Sequence, residues 1–135
     1  FDDIQLVLQP HTRGMDYKSS AAKVYVDNNN IPFYKWIDWA DLILFSATSV
    51  IIDAIIKRKP VLFLRRTVAS KLVFEEYFDN WVVDSRDELK DWIYLFLSNK
   101  DAKTYNEKEA KRFLKEIIGY NKDVLENYYQ EIKAN

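Results

Sequence analysis

Ser46, Thr48 and Ser49 interrupt an otherwise apolar stretch, ADLILFSATSVIIDAIIKRKPVLFL, at residues 40 to 64, and Asp53 follows close behind them. The residues before the interruption read as a buried strand, those after it as a helix over 48–58, and VLFL as a second strand. A helix start leaves N–H groups without intrahelical partners, and their partial positive charge suits an anion. Hydroxyls at that place either cap the helix or donate to a bound phosphate. The turn has no glycine. Ser and Thr side chains, rather than bare backbone, would therefore carry part of any phosphate contact. Asp53 is either an early acid that complements the helix dipole or an acceptor for ribose or glycerol hydroxyls beside the phosphate.

Further groups sit where a strand ends. His11, the only histidine, follows the strand pattern IQLVLQ and precedes Arg13. With a pKa near neutrality it could donate to phosphate, act as an acid or base, or be a polar surface residue. Lys57, Arg58, Lys59, Arg65, Arg66 and Lys71 lie between Asp53 and Glu75 with no acid among them. Such a run forms either a local positive field for an anionic ligand or a solvated helix end and loop.

Other chemistries find little here. Without cysteine there is no disulfide, thiolate zinc site or Cys nucleophile, and one histidine leaves no metal cluster. A reducing, cytoplasmic setting follows as the expectation. No GxSxG elbow, P-loop, membrane-length apolar run or signal peptide is present. A net charge of -1 argues against a nucleic-acid coat, and the aromatic residues fall at core spacing.

These groups need a scaffold to hold them. At 135 residues and 48% hydrophobic content, the chain suits one domain. IQLVLQ, KVYV, LILF, VLFL and WVV read as strands, and IPFYKWIDWA as a helix opened by Pro32. Ser85 with Glu88 predicts a capping box before a helix bearing Leu89, Trp92, Ile93, Phe96 and Leu97. Thr104 with Glu107 predicts a second box, Gly119 the end of that helix, and 121–133 a last amphipathic segment. Alternating strands and helices imply α/β architecture, a Rossmann-like three-layer domain with a parallel sheet and C-terminal helices over 104–135. Ligands of such sheets bind at the strands' carboxyl ends, where strand order reverses. Because the chain opens on Phe1 and enters a strand pattern at once, it is expected to be a piece of a longer protein.

The stretch at 40 to 64 resembles the nucleotide-binding half of GT-B glycosyltransferases, and most nearly the CDP-glycerol glycerophosphotransferase group of bacterial wall and capsule polymer enzymes. Thr48, Ser49, Val50, Asp53, Lys59 and Pro60 match that group's Ser-Ser-Val, acid and Lys-Pro frame, whereas Ser46 and Ala47 replace its aspartate and aromatic. LVLQPHTRG is similar to its strand ending in Lys-Pro-His, with Gln9 for lysine and His11 retained, and FEEYFDNWVVDSRDEL is similar to a segment of surface-carbohydrate relatives. Non-hydrolysing UDP-N-acetylglucosamine 2-epimerases share the frame, with Arg65 or Arg66 and Thr67 standing for their Arg and Thr.

The resemblance implies half of a GT-B fold, a donor nucleotide-diphosphate-binding domain over residues 1–135 of a two-domain transferase for surface polysaccharide. Its ligand would be a nucleotide-diphosphate sugar or CDP-glycerol used as substrate, with no further cofactor. Thr48, Ser49 and Ser46 would meet the diphosphate, His11 would contact phosphate as the candidate catalytic group, and Asp53 would lie near sugar or glycerol hydroxyls. Arg13, Arg65, Arg66, Thr67 and Lys71 would surround the departing diphosphate, where charge develops. The acceptor polysaccharide would be held by an N-terminal domain outside this sequence, and the full-length protein would associate with the inner face of the membrane. The contrasting expectation is a non-catalytic α/β binding or assembly module.

Overall fold

A computed structural model describes residues 4–9, 24–27, 31–46, 48–67, 71–78 and 80–119. His11, Arg13, the 28–30 turn and the expected 121–133 segment lie outside the described residues. The chain falls into two compact units, Phe1–Trp39 and Ala40–Asn135. Both are α/β, and in place of one continuous sheet the described strands form two small parallel ones.

In the first unit, β1 (Leu6–Leu8) pairs in parallel with β2 (Val24–Val26), Leu6 opposite Val24 and Leu8 opposite Val26. Helix α1 (Phe33–Trp39) follows, starting directly after Pro32 as expected. Polar side chains at the strand ends hold Ile31, just ahead of it. The Gln9 amide donates to the Ile31 carbonyl at 2.9 Å. The buried Asp27 carboxylate accepts from the Ile31 N–H at 3.1 Å and the Trp36 indole N–H at 2.8 Å.

The second unit holds β3 (Ile43–Phe45), β4 (Val61–Leu64) and β5 (Val82–Val83), all parallel, in the order β3-β4-β5. This order runs in chain sequence, so no reversal of strand order occurs among the described strands of this sheet. Val61, Leu62 and Phe63 are fully buried, as expected of a strand covered on both faces. On one face Phe45, Phe63, Phe78 and Trp81 form an aromatic core, with ring centres 5.4 Å apart for Phe45 and Phe63 and 4.6 Å for Phe78 and Trp81. Ile51, Ala54 and Ile55 of α2 (Ile51–Ile56) and Ala110, Phe113 and Leu114 of α4 (Glu107–Ile118) close over it.

Several boundaries differ from expectation for physical reasons. Helix α2 is six residues long, not the eleven of 48–58. Its N-cap is Val50, whose N–H donates to Thr48 Oγ1 at 3.3 Å, so residues 48–50 form a turn before the helix rather than its first turn. Its end precedes Pro60, because Arg58 adopts a left-handed backbone (φ 56°) and its guanidinium donates to the Ile55 carbonyl at 2.7 Å. Helix α3 (Arg86–Ser98) is capped as expected by Ser85, which accepts from the Glu88 N–H at 3.1 Å. The Glu88 carboxylate reaches back to the Asp84 N–H instead of closing on Ser85.

The expected capping box at Thr104 and Glu107 is displaced. Asn106 caps α4 and Glu109 completes the box, accepting from the Asn106 N–H at 2.6 Å. Thr104 is buried, and its hydroxyl accepts from the Val61 N–H at 3.2 Å. Gly119 ends α4 in the left-handed conformation (φ 61°), which glycine adopts without a Cβ clash. No helix among the described residues is long and apolar enough to cross a membrane.

Candidate functional site

Parallel strands in register deliver the segments after them to one edge. Phe45 pairs with Phe63, and Leu64 with Val83, so Ser46, the turn at 48–50, the 3₁₀ turn Arg65–Thr67 and the Asp84–Ser85 corner all lie at the carboxyl edge of the second unit's sheet. Adjacent strands lie about 4.8 Å apart. Hydroxyls after β3 and guanidinium groups after β4 therefore rise from neighbouring strand ends.

At the first of these ends Ser46 and Ser49 are exposed and Thr48 is half-buried. The Thr48 hydroxyl takes the Val50 N–H, and the Ser49 carbonyl takes the Ile52 N–H at 3.0 Å. Two N–H groups that an anion would use are thus already engaged. A six-residue helix also sums few peptide dipoles, so hydroxyls, not the helix end, dominate what this turn offers a ligand. Asp53 is exposed in the first turn, on the side of α2 away from the buried Ile51, Ala54 and Ile55.

The basic run is less positive in space than in sequence. Arg58 grips Glu107 with two bonds, Nε to Oε2 at 2.7 Å and Nη2 to Oε1 at 2.8 Å. This hydrogen bond and the charge of Arg58 hold the Glu107 carboxyl below the usual carboxylate range. The Lys59 ammonium donates to the Ala40 carbonyl at 2.9 Å, at the amino end of β3 and away from the Ser/Thr turn. Arg65 pairs with Glu75. Lys71 lies 3.4 Å from Glu76, an exposed and weak pair. Lys57 is also engaged. Arg66 alone of the six is exposed and makes no ion pair or hydrogen bond among the described residues.

The structure thus brings Ser46, Thr48 and Ser49 to the same edge as Arg65 and Arg66. Thr67 belongs to the same 3₁₀ turn. Glu75, which sequence reasoning missed, joins the group through Arg65. Ten residues separate the two, and no local pattern marks such a pair. Among the described residues, no group of three or more His, Cys, Asp or Glu is placed to hold a metal ion. An open cleft of about 530 Å³ lies in the first unit, and the described residues that line it, Val7, Val24, Tyr25, Trp36 and Trp39 among others, include none of the expected site residues. Comparison with protein-family models, with curated proteins and with solved structures finds no match to this chain.

Proposed function

We propose that this chain is the donor nucleotide-diphosphate-binding domain of a GT-B-like glycosyltransferase or glycerophosphotransferase of bacterial surface polysaccharide synthesis. One observation carries the reading: exposed hydroxyls after β3 and the uncommitted Arg66 after β4 leave a parallel sheet at the same edge. Hydroxyl donors and a guanidinium fork suit the non-bridging oxygens of a diphosphate. In this reading Ser49 and Thr48 hold one phosphate and Arg66 the other, Asp53 accepts from a hydroxyl of the transferred group, and Lys71 adds to the shell. The ligand is a nucleotide-diphosphate sugar or CDP-glycerol, and the three-layer GT-B half is the proposed parent architecture.

The test is titration of the chain with CDP-glycerol, CDP, UDP and UDP-sugars, followed by amide chemical shifts. A nucleotide diphosphate should perturb residues 46–53 and 65–67, and Ser49→Ala and Arg66→Ala should weaken it at least tenfold. Silence from every nucleotide at millimolar concentration refutes the reading.

Helix α3 favours a second reading, a non-catalytic assembly module. None of its residues is buried, and Tyr94, Leu95 and Leu97 are 43–53% exposed. Apolar side chains so exposed mark contact surfaces when they cluster. Under that reading no nucleotide binds, and Leu95→Glu with Leu97→Glu abolishes concentration-dependent sedimentation of the chain.

A further inference from the structure

We infer that Glu75 occupies a phosphate position on Arg65, so that an anion bound at the carboxyl edge of β4 must first displace a carboxylate of the protein's own. The inference deepens the diphosphate reading and rests on it. Arg65 is the first residue beyond β4 and therefore stands beside the uncommitted Arg66 at the proposed site. The two cations differ in what they already hold. The Arg65 guanidinium is bound to Glu75, with the Arg65 side chain 29% and the Glu75 side chain 11% exposed, a far more sheltered pair than Lys71 and Glu76 at 62% and 68%.

A guanidinium presents the same planar fork to carboxylate and to phosphate, so the two anions compete for one set of N–H groups. Glu75 is also anchored independently of Arg65. The same oxygen accepts the Leu72 N–H at 2.7 Å, and the 3₁₀ turn Val73–Glu76 returns the Glu75 N–H to the Leu72 carbonyl at 3.1 Å. When a phosphate takes Arg65, the carboxylate keeps a donor but loses its counter-charge in a sheltered place. That loss opposes binding and drives the carboxylate back when the ligand leaves. Arg66 and the Ser/Thr hydroxyls thus make first contact with the anion, and Arg65 joins only at the expense of Glu75.

The full chain is titrated calorimetrically with inorganic pyrophosphate as wild type, Glu75→Gln, Glu76→Gln and Arg65→Ala. Freed from its competitor, Arg65 should make Glu75→Gln bind about tenfold more tightly, the scale of one charged hydrogen bond. Glu76→Gln, which removes the same charge one residue away, should stay within about twofold, because exposed charges are screened. Adding Arg65→Ala to Glu75→Gln should erase the gain.

If Glu75→Gln leaves affinity unchanged or weaker while Ser49→Ala still abolishes binding, the site stands and the inference falls, Arg65 and Glu75 being only a brace. If pyrophosphate binds neither wild type nor Glu75→Gln, the diphosphate reading itself fails. Should Glu75→Gln not fold, the wild type still decides. Pyrophosphate must shift the Arg65 Nε–H resonance and leave that of Arg58, held by Glu107, in place; an unmoved Arg65 signal overturns the inference.

Discussion

Replacing Thr104 by valine isolates one backbone donor. Along β4 the N–H groups of Val61 and Phe63 point to the same side, that of β5. The Phe63 N–H finds the Trp81 carbonyl at 2.8 Å, but β5 begins only at Val82, so on that side no described strand reaches back to Val61. The Thr104 hydroxyl fills that gap at 3.2 Å, with Thr104 2% and Val61 0% exposed. Valine keeps the shape and removes the acceptor, which leaves a buried N–H unpaired at a cost of about 1–3 kcal/mol. In a chain of this size that lowers the melting temperature by about 4–12 °C.

Thr104→Ser keeps the acceptor and gives up a methyl group worth about 0.8 kcal/mol. Urea denaturation should therefore rank wild type, then serine, then valine, and amide exchange at Val61 should quicken in the valine variant alone. The reasoning is refuted if Thr104→Val is as stable as wild type with Val61 protection unchanged. A capping role for Thr104 predicts instead that Thr104→Asp is harmless, which burial at this position forbids.

Other consequences are measurable in the same way. Asn106→Ala removes the cap of α4, whose oxygen accepts from the Glu109 N–H at 2.9 Å, and should cost about 1 kcal/mol in urea denaturation. Arg58 has a left-handed backbone (φ 56°), so once its side chain is gone glycine suits the position better than alanine. Arg58→Gly should be about 0.5–1 kcal/mol more stable than Arg58→Ala, the relief of αL strain outweighing glycine's unfolded-state entropy.

Tyr105 supplies a pH test. Burial raises its hydroxyl pKa above the ordinary tyrosine value, with Arg58 opposing the rise and Glu107 adding to it, and the O–H donates to the Lys59 carbonyl at 2.7 Å. A raised folded pKa means that the folded state holds this proton more tightly. Its contribution to stability is full below about pH 10 and is lost as pH rises beyond it. Tyr105→Phe should be less stable than wild type by about 1 kcal/mol at pH 8, and the gap should close and reverse between about pH 10 and pH 12. A constant gap across that range would show that the hydroxyl is not buried.

What could be read from the sequence was what short-range rules decide. The Pro32 helix start, the β3–α2–β4 succession, the Ser85 cap and the Gly119 stop depend on residues within about one turn of each other, and each is found in its expected place. Thr104 was misread because the pattern Thr-x-x-Glu is equally good one step short of the true cap. Only the absence of a described strand beside Val61 on the β5 side, a fact of the folded sheet, assigns the hydroxyl to β4. The exposure of α3 was likewise beyond reach. Its apolar spacing is regular, yet what covers a face depends on neighbours and not on spacing.

The basic run shows the same limit in charge. Six cations without an intervening acid read as a field, but Glu107 is 49 positions from the Arg58 it binds, and Glu75 is 10 from Arg65. Folding brings these acids back. What survives at the carboxyl edge, among the described residues, is one uncommitted guanidinium, Arg66, beside a second that is already occupied. Among the described residues, an anion arriving there meets one uncommitted guanidinium and three hydroxyl side chains, an arrangement whose affinity should fall only shallowly with salt. A steep salt dependence would require Arg65 to have exchanged Glu75 for the ligand, so the slope of affinity against ionic strength, compared between wild type and Arg65→Ala, reports directly which of the two arginines holds the anion.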